Sequence, residues 1–123
     1  MISCLCVGAG GFLGAVLRYL LSGIPTGSSG FPFMTLLINF AGALAIGMIA
    51  AAAEKTGMPG GNGILFLKVG VCGGFTTFST YALELNQLFG GGKWGLGMVY
   101  AAGSVVLCLA AVWLGQTLVR IAL

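Results

Sequence analysis

The run Gly73-Gly74-Phe75-Thr76-Thr77-Phe78-Ser79-Thr80-Tyr81 gathers the groups with chemistry to offer: two adjacent glycines, then hydroxyls at 76, 77, 79, 80 and 81. Such a stretch makes poor ordinary helix, because glycine is entropically costly and Ser and Thr hydroxyls compete for backbone partners. It sits inside an otherwise apolar segment, so it predicts a helix broken within a membrane. A break there is tolerated only where the freed backbone groups face protein or a watery cavity, and loose carbonyls bind cations. The plainer alternative is a helix kinked at Gly74, with threonine hydroxyls bonded to its own carbonyls. Phe78 and Tyr81 are three apart and share a face. Their ring edges carry partial positive charge and suit an anion, although such a stripe also serves as packing. Thr77, Thr80 and Glu84 fall on a neighbouring face, with Ser79 to the side.

Polar groups also stand in the other apolar segments, where each is a functional candidate and a candidate for helix-to-helix hydrogen bonding. Thr35, Asn39 and Gly42 share one face at i, i+4, i+7 spacing. Asn39 brings two donors and an acceptor and must face protein or water. Arg18 either snorkels to the headgroups or attracts anions into a vestibule. Gly10 and Gly14 form a small-xxx-small face for close helix packing. Glu84, the one acid within a span, suits a proton carrier or a partner of Arg18 or a threonine hydroxyl. Ser104 is the polar residue nearest the middle of the last segment.

The elements that must position these groups follow from composition. The chain has 123 residues, of which 59% are hydrophobic, 23 are glycine and only 6% are charged. Soluble domains carry about 25% charged residues. So few charges cannot clothe so much apolar surface on a small chain, which makes soluble enzyme, nucleic-acid binder and disordered linker poor readings. A net charge of +3 and the absence of any basic cluster exclude nucleic acid as a partner. The absence of His removes histidine catalysis and histidine metal sites. Cys4, Cys6, Cys72 and Cys108 form no CxxC and are read as small apolar packing residues.

The sequence predicts an all-α integral membrane protein, residues 1–123 forming one transmembrane domain in the lipid bilayer. Four segments meet the length of about 20 apolar residues that a spanning helix needs, at roughly 2–21, 33–53, 63–89 and 94–119. Their connections are rich in Gly, Pro and Ser, which is turn chemistry. The first segment lacks a basic leader region and is read as a span, not a cleaved signal. Lys55, Lys68 and Arg120 flank one side and Arg18 and Lys93 the other, so the positive-inside bias hardly specifies a direction. Insertion in one direction and insertion in both, giving an antiparallel dimer, stay equally open. Four short helices barely surround a path, so an ion path is expected between subunits.

Three runs together resemble the small bacterial fluoride channels, the Fluc or CrcB family. Gly10 to Tyr19 is similar to the family's N-terminal Gly-x-x-x-Arg-Tyr/Trp segment, Thr35 to Asn39 to its Thr-Leu-x-x-Asn segment, and Gly73 to Thr80 with Glu84 to its signature. The resemblance covers nearly the whole chain. It implies a dual-topology, antiparallel homodimer in the bacterial inner membrane, the third of four helices in each subunit broken at mid-membrane. Fluoride passes passively and selectively along two pores at the interface, lowering its cytoplasmic level. A structural Na⁺ on the two-fold axis is implied, held by the backbone carbonyls of Gly73 and Thr76 from each subunit. Phe78 and Tyr81 correspond to the pore phenylalanines, Asn39 to the pore asparagine, and Ser79, Thr80 and Ser104 to hydroxyls along the path. Arg18 corresponds to the vestibule arginine, with Thr77 and Glu84 in support. Tyr81 departs from the usual second Phe, which leaves conduction retained or slowed and leaves room for a heterodimer with a paralogous, conducting partner. The competing functions are a dual-topology proton-coupled multidrug exporter, which needs a carboxylate in the first helix where this chain has only Arg18, and a structural subunit. Membrane-embedded acid–base catalysis lacks a second titratable group.

Overall fold

A computed structural model describes residues 1–123. The chain is all helix and turn: α1 (Ile2–Ser22), α2 (Phe33–Thr56), α3 (Asn62–Ile64), a π-helical segment (Leu65–Cys72), α4 (Gly73–Phe75), α5 (Phe78–Gly90) and α6 (Trp94–Ala122). Four stretches are long and apolar enough to cross a membrane: Ile2–Ser22, Phe33–Thr56, Asn62–Gly90 and Trp94–Ala122, whose 18-residue windows have mean hydropathies of 1.7, 2.1, 1.3 and 2.0. Glycine ends the second of them. Gly57 takes φ 67° as the left-handed cap, and its N–H returns to the carbonyls of Ala53 and Glu54.

Packing follows two main seams, α2 against α6 and α1 against the π segment and α4. Both depend on backbones approaching without side chains between them. A Cβ built at Gly14 would collide with the Val71 carbonyl oxygen and lie 2.7 Å from the Phe75 nitrogen. One built at Gly47 would collide with the Val112 carbonyl oxygen on α6. The Gly10/Gly14 face expected from spacing is therefore the one that meets the third span.

The wholly buried large side chains are Tyr100 and Ile38. Many big apolar side chains face outward, including Phe12, Trp113 and Ile121. That distribution suits a lipid solvent, in which apolar exposure carries no hydration cost.

The third stretch differs from a simple α-helix in two ways. Leu65–Cys72 is wound as π-helix, which hydropathy alone does not reveal. The chain is then extended at Thr76 (φ −80°, ψ 156°) and Thr77 (φ −149°, ψ 116°) before α5 begins. The glycines, where the alternative reading expected a kink, are ordinary helix: Gly73 has φ −65° and ψ −37°. Gly74 serves close packing, its built Cβ falling 2.5 Å from the Gly11 carbonyl oxygen.

Candidate functional site

The site is built from donors exchanged at Thr76 and Thr77. In a continuous helix the Thr77 N–H would go to the Gly73 carbonyl. It goes instead to Asn39 Oδ1 on α2, at 2.8 Å, while Asn39 Nδ2 donates back to the Thr77 carbonyl at 3.1 Å. One side-chain amide thus holds both backbone groups of one residue. The Gly74 carbonyl accepts from Arg18 Nε at 3.1 Å. The Thr80 N–H, which a helix would give to the Thr76 carbonyl, goes to Thr77 Oγ1 at 3.2 Å. Thr77 is thereby the N-cap of α5, and its hydroxyl also donates to Thr80 Oγ1 at 3.0 Å. Ser79 Oγ lies 3.4 Å from the same hydroxyl. The Gly73 and Thr76 carbonyls thus lose their helical donors to side-chain oxygens, those of Asn39 and Thr77.

Thr76 keeps its hydroxyl on the helix before it, donating to the Cys72 carbonyl at 2.9 Å. Its methyl points at α2, where a Cβ built on Gly42 would collide with it. Gly42 therefore lets Asn39, one turn earlier on the same helix, come within reach of Thr77.

Glu84 accepts two short hydroxyl bonds, from Thr35 Oγ1 to Oε1 and from Tyr100 OH to Oε2, each 2.7 Å. Arg18 is not its partner. Half-buried, Arg18 turns to the Gly74 carbonyl on the third span. Tyr100 escaped the sequence reading, although it stands four residues before Ser104 and so lies on the same stripe of α6. Aromatic rings form a line: Phe31 meets Tyr100 edge-on at 5.4 Å, Tyr100 meets Tyr81 at 5.2 Å, and Tyr81 meets Phe78 at 5.5 Å. Tyr81 donates its hydroxyl to the Ala101 carbonyl on α6 at 3.0 Å.

A groove of about 440 Å³ brings many of these groups together, with Asn39, Gly73, Thr76, Thr77, Phe78, Tyr81 and Ser104 among its lining residues. Apolar residues of α6, Val105, Leu109 and Val112, form its far wall. Ser104 Oγ is buried there without a hydrogen-bond partner in the chain. Phe78 is 79% exposed, so its ring projects beyond the subunit's own surface. Arg18, Ser79, Thr80 and Glu84 do not line the groove. Ser79 and Thr80 reach it through the Thr77 hydroxyl, whereas Arg18 and Glu84 bond to Gly74 and Tyr100, which lie outside the lining.

The fold and these groups define a class: a multi-pass helical membrane protein with polar side chains converging on an interrupted span. The profile of the CrcB-like protein, Camphor Resistance (CrcB) family matches residues 5–116. Among its relatives are proteins named fluoride-specific ion channel FluC. One, from Ruminiclostridium cellulolyticum, is 42% identical over 122 residues, covering 98% of this chain and 94% of that protein. Another, from Chlorobium luteolum, is 44% identical over 115 residues, covering 93% and 89%. A third, from Rhodospirillum rubrum, is 47% identical over 117 residues, covering 89% and 88%. The chain belongs to the CrcB family.

Proposed function

We propose that this chain is a fluoride-specific ion channel of the bacterial inner membrane, releasing fluoride passively from the cytoplasm and so limiting its toxicity. The relatives' activity supports the choice of ion. Within the chain, the reading rests on the Ser104 hydroxyl, a buried donor without a partner, facing a groove that also holds Asn39 and the rings of Phe78 and Tyr81. Fluoride is small and strongly hydrated, so its path must replace water with donors. A hydroxyl hydrogen, amide hydrogens and ring edges are such donors. Val105, Leu109 and Val112 of α6 make the rest of its lining largely apolar.

A second copy of the chain completes the path in this reading. The groove is open, and Phe78 projects from it. The near balance of Lys and Arg between the two ends suits insertion in both directions, hence an antiparallel dual-topology homodimer with the third span broken at mid-membrane. The Gly73 and Thr76 carbonyls, deprived of their helical donors, are hard oxygen ligands suited to Na⁺. Two subunits offer four of them. A bound Na⁺ would supply fixed positive charge between the two chains. Asn39 and Arg18 hold the segment so that these carbonyls stay free. Proton-coupled export is disfavoured because α1 contains no carboxylate.

The test is flux. Purified protein is reconstituted in liposomes loaded with fluoride and chloride, charge is balanced by a K⁺ ionophore, and each ion is followed with a selective electrode. Fast fluoride release with chloride retained is the expected result. Retention of both ions by folded dimer would overturn the reading.

A further inference from the structure

Tyr81 lines the groove, and its hydroxyl has two possible uses: to donate to the passing anion or to hold the ring in place. A phenol has one proton to give. Here that proton goes to the Ala101 carbonyl on α6, at 3.0 Å. The lone pairs left on the oxygen repel an anion. One residue before Ala101, Tyr100 reaches the opposite way, from α6 to Glu84 on α5, at 2.7 Å. The two rings meet between these ties with centroids 5.2 Å apart and planes 58° apart. Each tyrosine thus bonds the other's helix, and the pair forms a crossed clasp between α5 and α6. Phe78 rests on the Tyr81 side of it, at 5.5 Å. Ser104, three residues beyond Ala101, keeps its own hydroxyl unpartnered.

We propose that Tyr81 is a positioning residue, whose hydroxyl, bonded to the Ala101 carbonyl, fixes the ring wall beside Phe78 and does not itself bind fluoride. The proposal deepens the channel reading and rests on it. Tyr81 contributes its ring edge to the path, and Ser104 and Asn39 contribute the donors. Without the tie, the ring turns more freely about its side-chain torsions and presents a fixed edge for less of the time. Maximal throughput then falls while affinity and selectivity, set by other groups, hold.

The experiment compares wild type and Tyr81→Phe in liposomes, measuring flux per dimer across a range of fluoride concentrations, with chloride beside it. A tie of ordinary hydrogen-bond strength corresponds to a fall in maximal flux of roughly three- to tenfold. The half-saturating fluoride concentration and the exclusion of chloride stay at wild-type values. A raised half-saturating concentration, or chloride leak, would overturn the proposal by showing that the hydroxyl serves the anion. Unchanged flux would overturn it by showing that the hydroxyl positions nothing. A second measurement uses wild type alone, with the Ala101 carbonyl isotope-labelled, and records its infrared band with and without fluoride. The band is expected to keep its position, since the phenol stays on the carbonyl. A shift to higher frequency on adding fluoride would mean that the proton turns to the anion. Wild type that releases no fluoride overturns both readings. Wild type that releases it while either Tyr81 measurement goes the wrong way overturns only this one.

Discussion

The Asn39 side chain closes on both backbone groups of Thr77, accepting from its N–H at 2.8 Å and donating to its carbonyl at 3.1 Å. A neutral carboxamide does this because it offers a donor and an acceptor side by side, which an ionised carboxylate of the same reach does not. The two bonds hold the third span open where α4 stops and α5 starts. They also account for the Gly73 carbonyl being left without its helical donor.

Asn39→Asp therefore does more harm than its size suggests. The carboxylate still accepts from Thr77 N–H but turns a second oxygen toward the Thr77 carbonyl. Leaving a half-buried acceptor unsatisfied costs up to about 1–3 kcal/mol. Thermal unfolding of the purified variant in detergent should show that loss, and fluoride flux from liposomes should be abolished. Wild-type stability in the Asn39→Asp variant would contradict the two-point role.

Phe78→Ile should keep the proposed dimer and impair conduction. The ring is 79% exposed on the subunit, so its removal opens no cavity inside the chain. What goes is the positive ring edge, an effect of roughly two- to tenfold on flux at the ordinary strength of an aromatic-edge interaction. Size-exclusion elution together with electrode-measured release separates the two effects. Unchanged release would remove Phe78 from the path.

Gly14→Ala and Gly11→Ala form a matched pair on adjacent turns of α1. The new methyl at 14 would run into the Val71 carbonyl oxygen, whereas nothing lies within 4 Å of the one at 11. Backbone cannot step aside as a side chain does, so the first change should destabilise by about 1–3 kcal/mol. The second should be neutral or slightly stabilising through helix propensity. Equal melting temperatures for the two variants would argue against the close α1 seam.

Replacing Na⁺ by a bulky organic cation on both sides of the membrane should stop fluoride release, and adding Na⁺ back should restore it. The carbonyls of Gly73 and Thr76 are the proposed ligands, so side-chain substitution cannot mimic the effect. Release that continues without Na⁺ would leave these carbonyls without that role.

Orientation is tested by a single cysteine. With the four native cysteines replaced and Ser28→Cys placed in the exposed α1–α2 loop, a membrane-impermeant thiol reagent should label about half of the copies from each side, as equal insertion in both directions requires. Labelling from one side alone would mean that the chain, expressed by itself, inserts in one direction.

The four apolar runs were legible because lipid imposes length and composition on a span so strictly. Asn39 and Thr77 were legible as polar residues out of place, but their mutual pairing was not, since it joins residues 38 apart in sequence. The alternative kink at Gly74 was drawn to the glycines by their poor helix propensity. Packing overrides propensity there: Gly74 stays helical against α1, while two threonines leave the helix because Asn39 and their own hydroxyls supply the missing partners. Tyr100 was passed over because a tyrosine in an apolar run looks like packing. Its hydroxyl partner lies on another helix. For Arg18 the sequence leaves snorkelling and a vestibule role both open, because distance to the helix end is visible and the Gly74 carbonyl is not.

The winding of Leu65–Cys72 bears on how the chain could lose or gain residues. A π turn holds more residues than an α turn, so this segment already stores length that an α-helix would not accommodate. Removal of one residue there could be absorbed as a change of winding, without a gap in the chain. Rotation is absorbed with it, because a π turn that gives up one residue becomes an α turn and the flanking helix keeps its phase. Gly74 would stay on Gly11, and Thr77 on Asn39. The same deletion within α5 would turn everything after it by about 100°. Two deletions of equal size, a few residues apart, would thus differ in kind: one changes the winding of a turn, the other the phase of a screw.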